Sequence, residues 1–304
     1  MLAFLRYSFL VLLVWPSAAQ AQLTPEQKKA TIQWITNLQD PQGGFYLAPQ
    51  DPNIDAIPQP GLRATSGAVR ALKYLGADIP NKDKHAAFVL KCYDATTGGF
   101  AEPGGAPDVT LTSVGIMAAV ELGIPREKIA KAMDYLKDNA KTFEEIRIAA
   151  AAVEAWGVKD CPFDLKPWLV DGPKLASHGS FLDPRDGGAR QIGSVTALLL
   201  RLGSTIRPDD QKRIVQALRD GQRSDGGWGQ KDAKASDVET TYRVMRALML
   251  LKSPPADVQK LRAFIDMHRN ADGGYTTQPG EKSTMSGVYY CVVVSKWLDE
   301  MEKK

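Results

Sequence analysis

The sequence predicts an all-α fold, six helical hairpins closed into one (α/α)6 barrel, or toroid. Three observations predict it. A glycine pair recurs at a spacing suited to stacked two-helix units. The helices on either side of each pair differ in polarity in the way that an outer and an inner ring require. No part of the chain has the spacing of β-hairpins or βαβ units.

The glycine pairs come first. Gly43-Gly44-Phe45, Gly98-Gly99-Phe100, Gly226-Gly227-Trp228 and Gly273-Gly274-Tyr275 share one pattern, and Gly187-Gly188 is a fifth pair followed by Ala189. The second glycines are Gly44, Gly99, Gly188, Gly227 and Gly274, with gaps of 55, 89, 39 and 47 residues. The gap of 89 is about double the rest, so a degenerate unit is expected near its middle, where Thr142-Phe143-Glu144-Glu145 precedes the apolar run from Ile146 to Trp156. The count is therefore six units of about 45 residues. The glycines are expected to supply positive φ where each outer helix ends.

The helix before each pair is one-sided. In Pro25 to Gln39 the residues Ala30, Trp34, Ile35 and Leu38 share a face; Ile214, Val215 and Leu218 do so in the fifth unit, and Val258, Leu261 and Ile265 in the sixth. Thr24, Pro25 and Gln27 supply the start signals of the first helix. The helix after each pair is apolar nearly all round: Val109 to Leu122 carries only Glu121, Ile192 to Leu202 only Arg201, and Val288 to Leu298 only Lys296. A helix without a wet face must be covered on every side. Because the sixth unit keeps such a helix up to Trp297 and no polar capping face appears, the hairpins are expected to close into a ring rather than form an open solenoid. In a closed ring the inner helices start at one mouth, where their free N–H groups favour anions, above a bore whose walls are expected to be mostly apolar.

Composition narrows the partners. With 38 Lys plus Arg against 35 Asp plus Glu the net charge is +3, too small a field to favour nucleic acid or an anionic membrane. The 44% apolar and 24% charged residues exclude a wholly disordered chain. Residues 1–21 read as a cleaved export signal, with Arg6 as the positive end, Phe9 to Trp15 as the apolar core and Ala19-Gln20-Ala21 as the cleavage pattern. Residues 22–304 then form one toroid domain, expected in a periplasm or outside the cell. Cys92, Cys161 and Cys291 are too few and too scattered for a disulfide framework and read as free thiols.

Gln222-Arg223-Ser224-Asp225-Gly226-Gly227-Trp228 fits the Q-x-x-x-G-x-W motif, and Gln39 to Phe45 fits it with Phe. With its six units, the chain resembles the prenyltransferase and squalene cyclase superfamily of α/α toroids. Over its mature length it is most similar to the β subunits of protein prenyltransferases, the type II geranylgeranyl transferase among them. That resemblance implies that Lys231 and Lys234, six and three residues before Asp237, match the basic pair that holds the lipid diphosphate. It also implies that Asp237, Glu239 and Ser283 stand where the family has a zinc-binding Asp, Cys and His. Two of the three zinc ligands are thus replaced. An oxygen-only set suits zinc poorly, so no cofactor is assigned and Asp237 and Glu239 remain only weak metal candidates. The cyclase acid D-x-D-D is absent, as are H-E-x-x-H, G-x-S-x-G and the phosphate loop.

Each candidate also has a plain structural reading. Ser236-Asp237-Val238-Glu239 reads as a capping box repeated at Thr142 to Glu145, with Asp108 aligned to Asp237. Lys231 and Lys234 could solvate a loop, and Phe45, Phe100, Trp228 and Tyr275 could be wedges between hairpins rather than the lining of a channel. Arg63, Arg147, Arg190 and Arg243 each lie near an inner-helix start, where a cation opposes the dipole unless an anion binds. Three functions stay open. The first is a toroid holding an isoprenoid or similar apolar ligand, its anionic head on Lys231, Lys234, Arg190 and Arg243, with Trp228 beside it. The second is an exported polysaccharide lyase or glycosidase working through Asp108, Glu144, Glu145, Asp237 and Glu239. The third is a non-catalytic module that binds a ligand or another protein.

Overall fold

The computed structural model describes residues 22–50, 59–177, 182 and 188–303. Residues 1–21, read above as an export signal, and His178 and Gly187 lie outside these residues. The described residues form twelve α-helices: α1 Pro25–Thr36, α2 Leu62–Tyr74, α3 Lys82–Lys91, α4 Val109–Leu122, α5 Ala132–Asn139, α6 Phe143–Trp156, α7 Lys166–Ala176, α8 Gly188–Arg201, α9 Pro208–Asp220, α10 Val238–Leu250, α11 Val258–Met267 and α12 Met285–Glu302. Among them no strand occurs, only isolated bridges such as Gln39 with Phe45 and Tyr93 with Phe100 beside the glycine loops.

The even-numbered helices are the inner ring. Each packs on the next, α2 on α4 and so on to α12, and α12 packs back on α2. Expected caps stand at α1, α4 and α6. Thr24 at α1 and Thr142 at α6 each form a complete capping box, with Gln27 and Glu145, and Asp108 at α4 accepts from the Leu111 N–H at 2.6 Å. At α10 the sequence reading needs correction. Asp237, not Ser236, is the cap, accepting from the Thr240 N–H at 2.7 Å, and Glu239 takes no part in a box.

The ring is joined by the glycine loops. Each loop rests on the outer helix of the following unit: Gly43 on α3, Gly98 on α5, Gly226 on α11 and, closing the circle, Gly273 on α1. There Thr31 Oγ1 donates to the Gly273 carbonyl at 2.8 Å and Trp34 Nε1 to Asp272 at 3.0 Å. Gln222 of the Gln motif has the same purpose. Gln222 Nε2 donates to the carbonyls of Gly226 and Asp257, and its Oε1 accepts from the Asp257 N–H, tying the loop to the start of α11. The two glycines of a pair serve different needs. Gly226 has φ +93, whereas Gly274 has an ordinary φ but a Cβ there would lie 2.6 Å from Ser283 Cβ.

The four loop aromatics Phe45, Phe100, Trp228 and Tyr275 are fully buried wedges, as the once-per-repeat spacing allowed. A detail that the sequence reading missed anchors three of them. The backbone N–H groups of Phe45, Phe100 and Trp228 donate to Thr65, Thr112 and Thr241, each a threonine in the first turn of the inner helix that follows. Cys92 and Cys291 are buried and Cys161 half-buried, all as free thiols. His85 accepts from the Gly44 N–H at 2.9 Å and His268 Nδ1 lies 2.8 Å from the Phe264 carbonyl, so both histidines hold loop and helix backbone in place.

Candidate functional site

A cavity of about 350 Å³ opens where the inner helices begin. Its walls are apolar over the larger part, as expected, but several charges enter them. Ala64, Val114, Met117, Ile148 and Ala151 supply apolar wall on α2, α4 and α6, and Arg70, Arg147, Arg201, Arg243, Tyr242 and Tyr289 line the same cavity. Of the lone charges of the apolar inner runs, Arg201 enters the bore, whereas Glu121 pairs with Lys73 and Lys296 with Glu300 away from it. The mouth also differs from a plain ring of positive helix ends. Asp108, Thr142, Asp237 and Thr284 take up the first-turn N–H groups of four inner helices. Glu102, from the second glycine loop, accepts from the Leu62 and Arg63 N–H groups at the start of α2. Anion affinity therefore passes from the helix ends to the guanidiniums below them.

Those guanidiniums form two layers. At the mouth Glu144 pairs with Arg147 at 3.0 Å and with Arg243 at 2.9 Å. Glu239 pairs with Arg243 at 2.6 Å and Arg190 at 3.3 Å, and Arg190 also donates to Thr240. Desolvation works against the Glu144 carboxylate, but Arg147 and Arg243 outweigh it and hold its pKa at about 2. Two turns deeper Glu154 pairs with Arg201 at 3.1 Å and with Arg246. Arg70 enters the same level from α2, its guanidinium 4.8 Å from the centre of the Tyr289 ring. Tyr242 stacks on Trp297 at 5.3 Å, and its hydroxyl lies 3.3 Å from that of Tyr289.

Of the residues singled out in the sequence, the structure brings Arg63, Arg147, Arg243, Glu144, Glu145 and Glu239 to the cavity, with Arg190 just behind Glu239. It does not bring Lys231, Lys234 or Trp228 there. The two lysines are exposed on the loop before α10, which Arg223 staples by donating to the carbonyls of Gln230 and Ala233. Trp228 is fully buried and its Nε1 donates to the Leu218 carbonyl at 2.7 Å. Sequence reasoning missed Arg70, Arg201, Tyr242 and Tyr289. Arg201 was visible as the single charge of the run Ile192 to Leu202, but nothing in the spacing turned these four residues to one point.

The zinc implied by the prenyltransferase resemblance does not fit these residues. Asp237 caps α10, Glu239 is held by two guanidiniums, and the Ser283 hydroxyl donates to Asp272 while accepting from Asn270. Among the described residues no group of three His, Cys, Asp or Glu side chains could hold a metal. Asp237→Ala is accordingly expected to act as the loss of a helix cap. It should cost about 1 kcal/mol in thermal or denaturant unfolding, with the metal content of the purified protein unchanged.

Comparison with known proteins gives the fold a relationship. Solved structures of similar shape include a type II terpene cyclase from Scytonema, at 11% identity over 92% of this chain and 98% of that one, with a TM-score of 0.60. A variant of that cyclase in complex with its substrate geranylgeranyl dihydroxybenzoate superposes with a TM-score of 0.62 at 10% identity, covering 91% of this chain and 97% of that one. A glycosidase variant superposes with a TM-score of 0.61 at 14% identity, covering 91% and 96%. No curated protein matches the sequence, and no helix among the described residues is long and apolar enough to cross a membrane. The model of the prenyltransferase alpha-alpha toroid domain matches residues 2–144 and 129–303. With its inner ring closed by α12 on α2, this chain belongs to the prenyltransferase alpha-alpha toroid domain family.

Proposed function

We propose that the bore receives an amphiphilic ligand, an isoprenoid or similar apolar chain with an acidic head, and that the protein meets it outside the cytoplasm after export on residues 1–21. One observation carries this reading: a single cavity is lined both by apolar side chains and by guanidiniums and tyrosines. Apolar surface removed from water stabilises a bound chain, and a planar guanidinium matches a carboxylate or phosphate head. The neighbouring cyclase is bound to a geranylgeranyl chain on a dihydroxybenzoate, a compound of the same general class. The spacing of Lys231 and Lys234 before Asp237 supports a nearer kinship to the β subunits of protein prenyltransferases. Zinc-dependent transfer forms no part of the proposal, since the donor set at Asp237, Glu239 and Ser283 suits no such ion.

Glycoside hydrolysis by two carboxylates is the weaker reading. Its general acid must hold a proton near neutrality, and Glu144 at about 2 does not.

Calorimetric titration of the mature chain with geranylgeranoate and with geranylgeraniol tests the proposal. The acid should bind at least about tenfold more tightly than the alcohol, the difference expected of one charge-assisted hydrogen bond. Ala151→Phe, which puts a ring into the bore, should abolish binding of both. Failure of geranylgeranoate to bind, or binding indifferent to Ala151→Phe, refutes it.

A further inference from the structure

A second cavity, of about 290 Å³, lies at the seam where the last unit closes on the first. Its walls come from the C-terminal parts of α2 and α12, from α1 and from the residues just before α1. Four ammonium groups line it, those of Lys28, Lys73, Lys296 and Lys303, against one carboxylate, Asp299. Asp299 is already bound to Arg262 at 2.9 Å, Lys73 pairs with Glu121 and Lys296 with Glu300. Among the described residues Lys28 and Lys303 form no ion pair. Gln22 borders the same cavity; it is exposed, and its side chain makes no hydrogen bond among the described residues. The two residues after it are fixed, Leu23 by packing on the core and Thr24 as the cap of α1.

We propose that Gln22, as the first residue of the exported chain, closes its α-amine on its own side chain to form a pyroglutamyl ring. The inference rests on the reading of residues 1–21 as a cleaved export signal, to which it adds the chemical form of the new terminus. The step balances without a co-reactant. The amine nitrogen attacks Cδ of the side-chain amide, and the Cδ–Nε2 bond breaks. A proton passes from the amine to the departing nitrogen, and ammonia leaves. Nothing is oxidised or reduced.

Two features of the seam favour this step. The ring forms within one residue, so it needs only rotation of the side chain, and no hydrogen bond has to be broken first. The amine would otherwise be a fifth cation at a cavity where two of the four lysines lack an acid. Neighbouring like charges disfavour a protonated amine, and the unprotonated amine is the nucleophile. The product is a neutral lactam, so the terminal charge disappears. A closed ring also offers no α-amine to an aminopeptidase, which protects Leu23 behind it. The helix that follows, α1, carries the closure of the ring through Thr31 and Trp34. The lactam thus guards the end of the chain at the point where the toroid is joined.

The full-length chain, expressed in a bacterial host and recovered after export, tests this by intact mass and N-terminal sequencing. It should weigh one ammonia less than residues 22–304 and resist sequencing. Treatment with pyroglutamyl aminopeptidase should then make it readable from Leu23. Gln22→Ala should keep its full mass and be readable from its first residue. Replacing both unpaired cations, Lys28→Gln with Lys303→Gln, should slow the loss of ammonia up to about threefold near neutral pH. An unchanged rate overturns the part given to the lysines. A terminus at Gln22 that keeps its amine on storage, or a terminus at any other internal position, sinks the inference and leaves export standing. A chain that still begins at Met1 sinks both.

Discussion

Glu154→Gln is expected to lower the melting temperature by roughly 6 °C, the equivalent of about 2 kcal/mol in a domain of this size. Glu154 lies at the end of α6 and serves two arginines, Arg201 on α8 and Arg246 on α10. The Arg201 side chain is only 6% exposed, so it cannot turn to water when its partner is neutralised. The Nε atom of Arg246 is buried without a hydrogen-bond partner, which leaves its terminal nitrogens to make the only contact with Glu154. Removing one member of a buried ion pair costs more than the pair itself contributes, because an unneutralised charge stays behind. Glutamine keeps the shape and one acceptor, so the loss reports charge rather than packing. Thermal unfolding at neutral pH measures it. A variant as stable as the parent would show that the floor arginines do not depend on Glu154.

Gly226→Ala is expected to cost about 4 kcal/mol and to lower the melting temperature by roughly 10 °C. Two penalties coincide there. The backbone has φ +93, and an added Cβ would lie 2.1 Å from the Lys260 carbonyl oxygen of α11. The obstruction is backbone, so no rotamer change relieves it. Gly280→Ala supplies the control. It has φ +89 but nothing within 4 Å of the added atom, so only the conformational penalty of about 1 kcal/mol remains. Equal losses from the two substitutions would mean that the loop-to-helix approach contributes nothing, and that the ring is held by the inner helices alone.

Much of the fold was legible before any coordinates. The glycine pairs placed five units, the doubled gap placed the sixth near Thr142, and the apolar run Val109 to Leu122 coincides with α4. These signals are local. A cap, a positive φ or a one-sided helix depends on a few neighbouring residues, so spacing records it. The site was less legible. Arg63, Arg147, Arg190 and Arg243 were expected together from their positions at helix starts, and they do gather there, but against Glu144 and Glu239 rather than bare helix ends. Lys231 and Lys234 matched a family spacing along the chain. Their loop is held by Arg223 in a course that leaves them at the surface.

The sequence by itself determined the number of hairpins, the order of outer and inner helices and the caps at which the inner ones start. These follow from residue types repeating along one chain. Only the tertiary structure decided what the bore is made of. Arg70, Glu154, Arg201, Tyr242 and Tyr289 lie on five different inner helices, far apart in sequence. Closing the ring sets these helices around one bore, so side chains distant along the chain come together. They meet there because of closure, an outcome that no local pattern encodes.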